Sequence, residues 1–353
     1  MREKVNGFVG VMAVAILCMV SGLCMVWGIA PVVLAVYVAA CAVCGRYMIT
    51  CIGCAAGVAA GSMGIAGLLH AYEYMIPGPV YSGVMVTEKY LVLLGLAMCL
   101  MKIVYSRNSS SYVRVIVVMS AAVLMGNIVV YADNMLMAAA YGVVEAAIFM
   151  CASVILKPGI GLLYTYICGD ASDVERDESW NISQGIVSLM ALAAVVLWVV
   201  PGEDIYGVNP AFMLALVLIL YAVYRTGAVY GCGMAAVAGS IVSVKLNDSR
   251  WLMWMLLVTL VMLIGRALTG RRKVSASLFY VLGCVLASVA DGTVLWNGSG
   301  REIAFYYINI AVPVVLFACI PGALLGAMDE ETDPACLCLL YTSPSPRDAH
   351  ESR

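Results

Sequence analysis

The chain is 353 residues long, 64% hydrophobic and 11% charged, with a formal net charge of -2. A water-soluble core of that length could not hide so much apolar surface, so an ordinary soluble fold is excluded and the chain belongs in a bilayer. On such a protein charge matters by side and not by sum, and no nucleic-acid partner is expected.

The apolar residues come in blocks of about 16 to 25, roughly the length that crosses a ~30 Å hydrocarbon core as a helix. An uncharged stretch between Lys4 and Arg46 is long enough for two crossings, 6–28 and 30–45, broken near Gly28 and Pro31 into a helical hairpin. The first crossing is too long for a secretory signal and no small-residue cleavage site follows it, so it reads as a retained anchor. Spans follow at 47–70, 90–105, 115–132 and 134–156, with an outer loop at 71–89 that contains Pro77 and Pro79. An acidic loop at 169–183, with Asp170, Asp173, Glu175, Asp177 and Glu178, divides the spans into two groups of six. The second group is 184–200, 210–224, 226–244, 251–269, 274–290 and 303–328. The predicted fold class is an all-α polytopic transmembrane helical bundle of 10 to 12 spans.

Threading twelve spans with the N-terminus inside puts Arg2, Lys4, Arg46, Lys102, Arg107, Arg114, Lys157, Arg176, Arg225, Arg266, Arg271, Arg272 and Lys273 on the cytoplasmic side. Only Lys89, Lys245, Arg250 and Arg301 fall outside. A split of 13 to 4 is what the positive-inside rule asks of a correct threading. Both the N-terminus and the C-terminus of the membrane region are therefore expected in the cytoplasm.

Most of the fourteen cysteines sit within apolar blocks and read as small hydrophobes. Cys41/Cys44 and Cys51/Cys54 form two C-x-x-C spacings around Arg46, but no histidine or carboxylate lies nearby to support a zinc or redox site. His70, at the outer end of a span, reads as an interfacial polar residue. No Walker loop, G-x-S-x-G, H-E-x-x-H or dinucleotide fingerprint occurs, so no catalytic, cofactor-binding or metal-binding residue is assigned.

Glu145 is the sharpest polar feature, because it lies near the middle of 134–156, where an ionisable side chain is costly. Lys102, Arg225 and Arg266 lie near cytoplasmic ends, where they can snorkel. Glu145 is read first as an interhelical hydrogen-bonding group, with Asn127 among the nearest partners by depth, and second as a proton- or ion-coupling group of a transporter or channel. Gly53, Gly57 and Gly61 recur every four residues, and Gly227, Gly231 and Gly239 repeat the spacing with Ala235 between. Small residues at that spacing let helix backbones approach closely. The two helices that carry them are expected inside the bundle or on a seam of self-association.

After the last span an acidic run, Asp329, Glu330, Glu331 and Asp333, starts what reads as a cytoplasmic linker at 329–336. Residues 337–353 resemble a translated sequencing-library adaptor and are set aside as a non-native tail. Natural sequence beyond the linker is expected to be missing.

Four stretches, in this order, resemble the membrane region of the stage II sporulation protein E family: 137–150 around Glu145, 184–194 after the central loop, the glycine-rich 226–239, and 306–321 ending at Pro321. The resemblance covers about residues 1–328. It implies a multi-pass module in the bacterial cell membrane that anchors a cytoplasmic serine/threonine phosphatase and localises it to the polar division septum. That phosphatase, manganese-dependent and of the 2C type, dephosphorylates an anti-anti-sigma factor and so activates the first forespore sigma factor. Partners implied are the lipid bilayer, further copies of the chain through self-association, and division-septum proteins. The catalytic domain would begin beyond this chain, which is thus expected to be no enzyme by itself. Manganese is expected only in that missing domain. The family's central loop is usually basic, whereas 169–183 is acidic here.

Overall fold

A backbone in hydrocarbon must satisfy its own N–H and C=O groups, so long apolar runs fold as helices. The computed structural model describes residues 2–23, 30–72, 83–104, 109–132, 134–168, 182–200, 208–291 and 300–319, and among them every long element is a helix and none is a strand. In chain order the helices are α1 (Arg2–Gly22), α2 (Pro31–Cys44), α3 (Tyr47–Tyr72), α4 (Gly83–Ile103), α5 (Ser109–Val130), α6 (Met135–Cys168), α7 (Ile182–Val199), α8 (Pro210–Thr226), α9 (Ala228–Lys245), α10 (Arg250–Thr269), α11 (Lys273–Asp291) and α12 (Gly300–Cys319). Each falls on one expected span. Five of them, α5, α6, α9, α10 and α11, are long and apolar enough to cross a membrane, and shorter apolar helices accompany them. Large apolar side chains such as Val92, Leu136 and Val229 are left exposed on the helix surfaces. That pattern suits contact with lipid and would be untenable in water. The chain is an all-α, multi-pass membrane protein.

Several bounds differ from the sequence expectation. Helix α4 starts at Gly83, not near residue 90, so Lys89 belongs to a helix and not to the outer loop. Helix α6 does not stop at Leu156 but runs on through Lys157 and Pro158 to Cys168. A proline lacks its N–H and disrupts the local ladder, yet membrane helices tolerate it where a neighbouring side chain re-satisfies the backbone. Here Ser188 of α7 does so, accepting from the Gly159 N–H at 2.5 Å. A methyl group on Gly159 would sit 2.5 Å from that same Ser188 Oγ. Gly159→Ala is accordingly expected to cost about 1–3 kcal/mol by overpacking, read as a shift in an unfolding titration in mixed micelles. Most of the acidic loop 169–183, the outer loop's Pro77 and Pro79, the ends of the first and last expected spans, and 329–353 lie outside the described residues.

The chain divides into two compact units, Met1–Glu203 with Val237–Ser249, and Asp204–Ala236 with Arg250–Arg353. In the first unit α2 is the centre, packed most extensively on α6 and also on α1, α3 and α4. From Pro31 to Cys41 every residue of α2 is buried. A helix apolar on all sides is one that has neighbours on all sides. At 14 residues α2 is about 21 Å long, too short to cross alone, and its ends are sharply set. Pro31 opens it, and Gly45 in the left-handed region (φ 64°) closes it by donating its N–H to Cys41 O at 2.9 Å. Tyr37 OH on α2 then reaches the carbonyl of Tyr47 on α3 at 3.3 Å.

Helices α1 and α3 cross on the predicted glycines. A Cβ on Gly53 would lie 2.6 Å from the Ala15 carbonyl oxygen, and one on Gly57 would overlap the carbonyl oxygen of Met19. Gly61, a turn further on, is buried as well. At Gly53 and Gly57 the stripe is therefore filled inside the chain by α1, the first of the two places expected for it.

In the second unit α10 packs on α11, and α8 packs on α10, α11 and α12. Asn209 caps α8, its Oδ1 accepting from Phe212 N at 2.9 Å, while its own N–H donates to Asn309 Oδ1 on α12 at 3.0 Å. Phe212, Trp251 and Trp254 cluster at the N-terminal ends of α8 and α10, with ring centroids 4.9 to 6.2 Å apart. Aromatic residues gather in this way where helices meet a membrane interface. Gly227 lies in the joint between α8 and α9 (φ 88°) and not within a helix, which corrects its place in the predicted stripe. Gly231 does pack closely, since a Cβ there would be 2.8 Å from Val223 Cγ2 on α8. Gly239, on the part of α9 that belongs to the first unit, is buried.

Candidate functional site

Glu145 sits on α6, the helix that packs on both α2 and α5. Its carboxylate meets side chains from two further helices. Lys89 Nζ of α4 donates to Glu145 Oε2 at 2.7 Å, Asn127 Nδ2 of α5 donates to the same oxygen at 2.7 Å, and Tyr90 OH of α4 donates to it at 3.0 Å. With three donors converging on it, Oε2 acts only as an acceptor. Lys89 Nζ also donates to Asn127 Oδ1 at 3.1 Å and lies 4.7 Å from the centre of the Tyr90 ring. One ammonium group has three donor hydrogens, and the carboxylate, the amide and the aromatic face account for three directions. Asn127 completes its amide by donating to Val123 O at 3.1 Å within α5.

The pair is well removed from solvent, with the Lys89 side chain 4% and the Glu145 side chain 19% exposed. Tyr90 and Asn127 are fully buried. Desolvating two charges is expensive, and their attraction repays it only when the remaining lone pairs and hydrogens are also bonded. That condition is met here by Tyr90 and Asn127, which turn an isolated ion pair into a four-residue network across α4, α5 and α6.

The predicted interhelical role of Glu145 thus has its geometry, and Asn127 is one of its partners. Lys89, placed by the sequence reading on the outer side, is the partner that reading missed. Two signals could have found it. Val84-Met85-Val86 before it extend the apolar block toward the N-terminus, and Lys89 is then the one cation of α4 that lies a full turn inside the helix. A cation and an anion at membrane depth are natural candidates for a pair.

The other sequence candidates do not join this site. Cys41 Sγ lies 3.2 Å from Thr50 Oγ1, Cys54 is buried, and Cys44 and Cys51 are half-buried, neither of them in a disulfide. Among the described residues no group of three or more His, Cys, Asp or Glu side chains is placed to hold a metal. His70 lies on α3, and its side chain is outside the described set.

A second polar assembly lies within the other unit. Helices leave their last carbonyls without intrahelical donors, and cations near a C-terminus can take them up. Arg266 NH1 of α10 donates to the carbonyls of Val223 and Tyr224 at the end of α8, the latter at 3.1 Å. Arg271 Nε, in the α10–α11 turn, also donates to Tyr224 O at 3.1 Å, and Lys273 Nζ donates to Ala318 O of α12 at 2.9 Å. The open backbone of Gly227 accommodates the Arg266 guanidinium, whose NH1 would lie 3.3 Å from a Cβ there.

No protein-family model, no curated protein and no solved structure matches this chain.

Proposed function

We propose that the chain is the membrane-anchoring, self-associating localisation module of a septal serine/threonine phosphatase of the stage II sporulation protein E kind. The reading rests on the order of the four resembling stretches, and one structural observation carries it furthest. Lys273, at the start of α11, reaches the carbonyl of Ala318 in the last turn of α12, so α12 ends at the cation-rich end of its unit. By the positive-inside rule that end faces the cytoplasm, where the chain following α12 would hold a catalytic domain. The acidic residues 329–333 would open the linker to it.

The test is to read the source DNA onward from the codons for residues 329–334. A downstream domain with paired metal-binding aspartates is the expected result. A stop codon close behind the last helix would sink the phosphatase reading.

A second reading, a transporter or channel, is favoured by the intramembrane carboxylate and ammonium of Glu145 and Lys89. It predicts that Glu145→Gln abolishes a measurable ion flux in proteoliposomes while the variant unfolds like the parent. The anchor reading predicts the reverse, a large loss of stability with no flux to lose.

A further inference from the structure

The close crossing of α1 and α3 at Gly53 and Gly57 also brings two cysteines together, Cys18 of α1 and Cys54 of α3. Cys18 Cβ lies 3.4 Å from where a Cβ on Gly53 would stand, one residue before Cys54. The two thiols are in hydrogen-bonding contact with each other. Both are wholly buried in the apolar core of the first unit, and neither is in a disulfide.

The C-x-x-C spacings of the sequence suggest other pairs, Cys51 with Cys54 on α3 and Cys41 with Cys44 on α2. Within a helix, residues three apart hold their Cβ atoms about 5–6 Å from each other, whereas a disulfide needs about 3.5–4.5 Å. Cys41 is moreover turned toward Thr50, its Sγ 3.2 Å from Oγ1. Cys18 and Cys54, on different helices, escape the intrahelical spacing, and the backbone contacts at Gly53 and Gly57 hold them in register.

We propose that Cys18 and Cys54 are a redox pair that hydrogen peroxide closes into a disulfide, tying α1 to α3 beside the enclosed helix α2. One thiol sulfur attacks a peroxide oxygen, the O–O bond breaks, and hydroxide leaves with the thiol proton as water, which gives a sulfenic acid. The second thiol sulfur attacks the first, the S–S bond forms, the S–O bond breaks, and the hydroxyl leaves with the second proton as water. Two thiols are thus oxidised by two electrons in all, and one peroxide is reduced to two waters. Peroxide suits the site because it is small and uncharged, as an oxidant must be to enter a dry apolar core. Burial slows the first attack. The resolving thiol, already in contact, speeds the second and stops the oxidation at the disulfide. The inference is independent of the phosphatase reading, since it needs only the α1–α3 crossing.

The full chain, purified in micelles, would be treated with hydrogen peroxide, quenched in acid and blocked with N-ethylmaleimide, and its disulfides located by fragmenting the peptides in a mass spectrometer. The expected product in the unaltered chain joins Cys18 to Cys54. Cys18→Ala and Cys54→Ala should each abolish it, and Cys51→Ala should keep it. Gly57→Leu, which parts the helices while leaving both thiols in place, should lose most of it. The closed chain should need more sodium dodecyl sulfate to unfold than the reduced chain, and dithiothreitol should reverse the shift. A product joining Cys51 to Cys54 or Cys41 to Cys44 would overturn the proposal, as would an unchanged yield in Gly57→Leu. So would the absence of any disulfide at peroxide levels that oxidise the exposed Cys99 and Cys232. A closed chain that unfolds like the reduced one would overturn the tie between the helices.

Discussion

Glu145→Ala, with Lys89 left in place, is expected to lose about 3–5 kcal/mol of stability, because it leaves an ammonium group buried without its counter-charge. Lys89→Ala should lose a comparable amount for the mirror reason. The double variant Lys89→Met with Glu145→Leu should recover much of either loss, since it removes both charges and fills the space with apolar atoms of similar size. Unfolding of the purified chain in micelles of rising sodium dodecyl sulfate content measures all three. Additive losses in the double variant would show that the two groups are not coupled, and the four-residue network would then have no energetic meaning. Tyr90→Phe and Asn127→Leu should cost less than either charge removal. Interhelical hydrogen bonds in membrane proteins average only about 0.6 kcal/mol, although Asn127 gives up more than one bond.

The next largest effect is expected at the α1–α3 crossing. A Cβ on Gly57 would overlap the Met19 carbonyl oxygen and approach Gly22 Cα to 3.0 Å, and one on Gly22 would come within 2.5 Å of Gly57 C. All of these obstacles are backbone, so no rotamer change can clear them and the helices themselves must part. Gly57→Ala should cost about 1–3 kcal/mol and Gly57→Leu more, by separating α1 from α3 and loosening the wall around α2. Gly95→Ala on α4 is the control. Nothing lies within 4 Å of a Cβ there, and the change should be neutral or stabilise by a few tenths to about 1 kcal/mol through helix propensity. If Gly57→Leu and Gly95→Ala unfold alike, the close crossing is not what holds these helices together.

Residue by residue, the two effects differ in how much of them could be read from sequence. The stripe Gly53, Gly57 and Gly61 announced a close approach by spacing alone, but not which helix would approach. The structure puts α1 there, so the close contact is made within one copy. Glu145 announced a polar contact by its depth, and Asn127 was within reach of the same argument. Lys89 was not, because a hydropathy reading ends a span at the first charge it meets, and the Glu88-Lys89 pair drew the boundary seven residues too late. Helix α6 shows the same limit, since Lys157-Pro158 reads as an end until Ser188 supplies the acceptor that lets the helix continue.

Local sequence is enough to say that this protein is helical and lives in a membrane, and roughly where the helices of the described residues fall along the chain. These follow from local quantities, the length of an apolar run and the charges that flank it. Packing between helices is what makes α2 the enclosed centre of its unit, buries Lys89 against Glu145, and brings Arg266, Arg271 and Lys273 to the ends of other helices. In each case the stabilising partner comes from a helix distant in sequence. Whether a charge can be buried, or a short helix held, depends on what that distant helix brings to it.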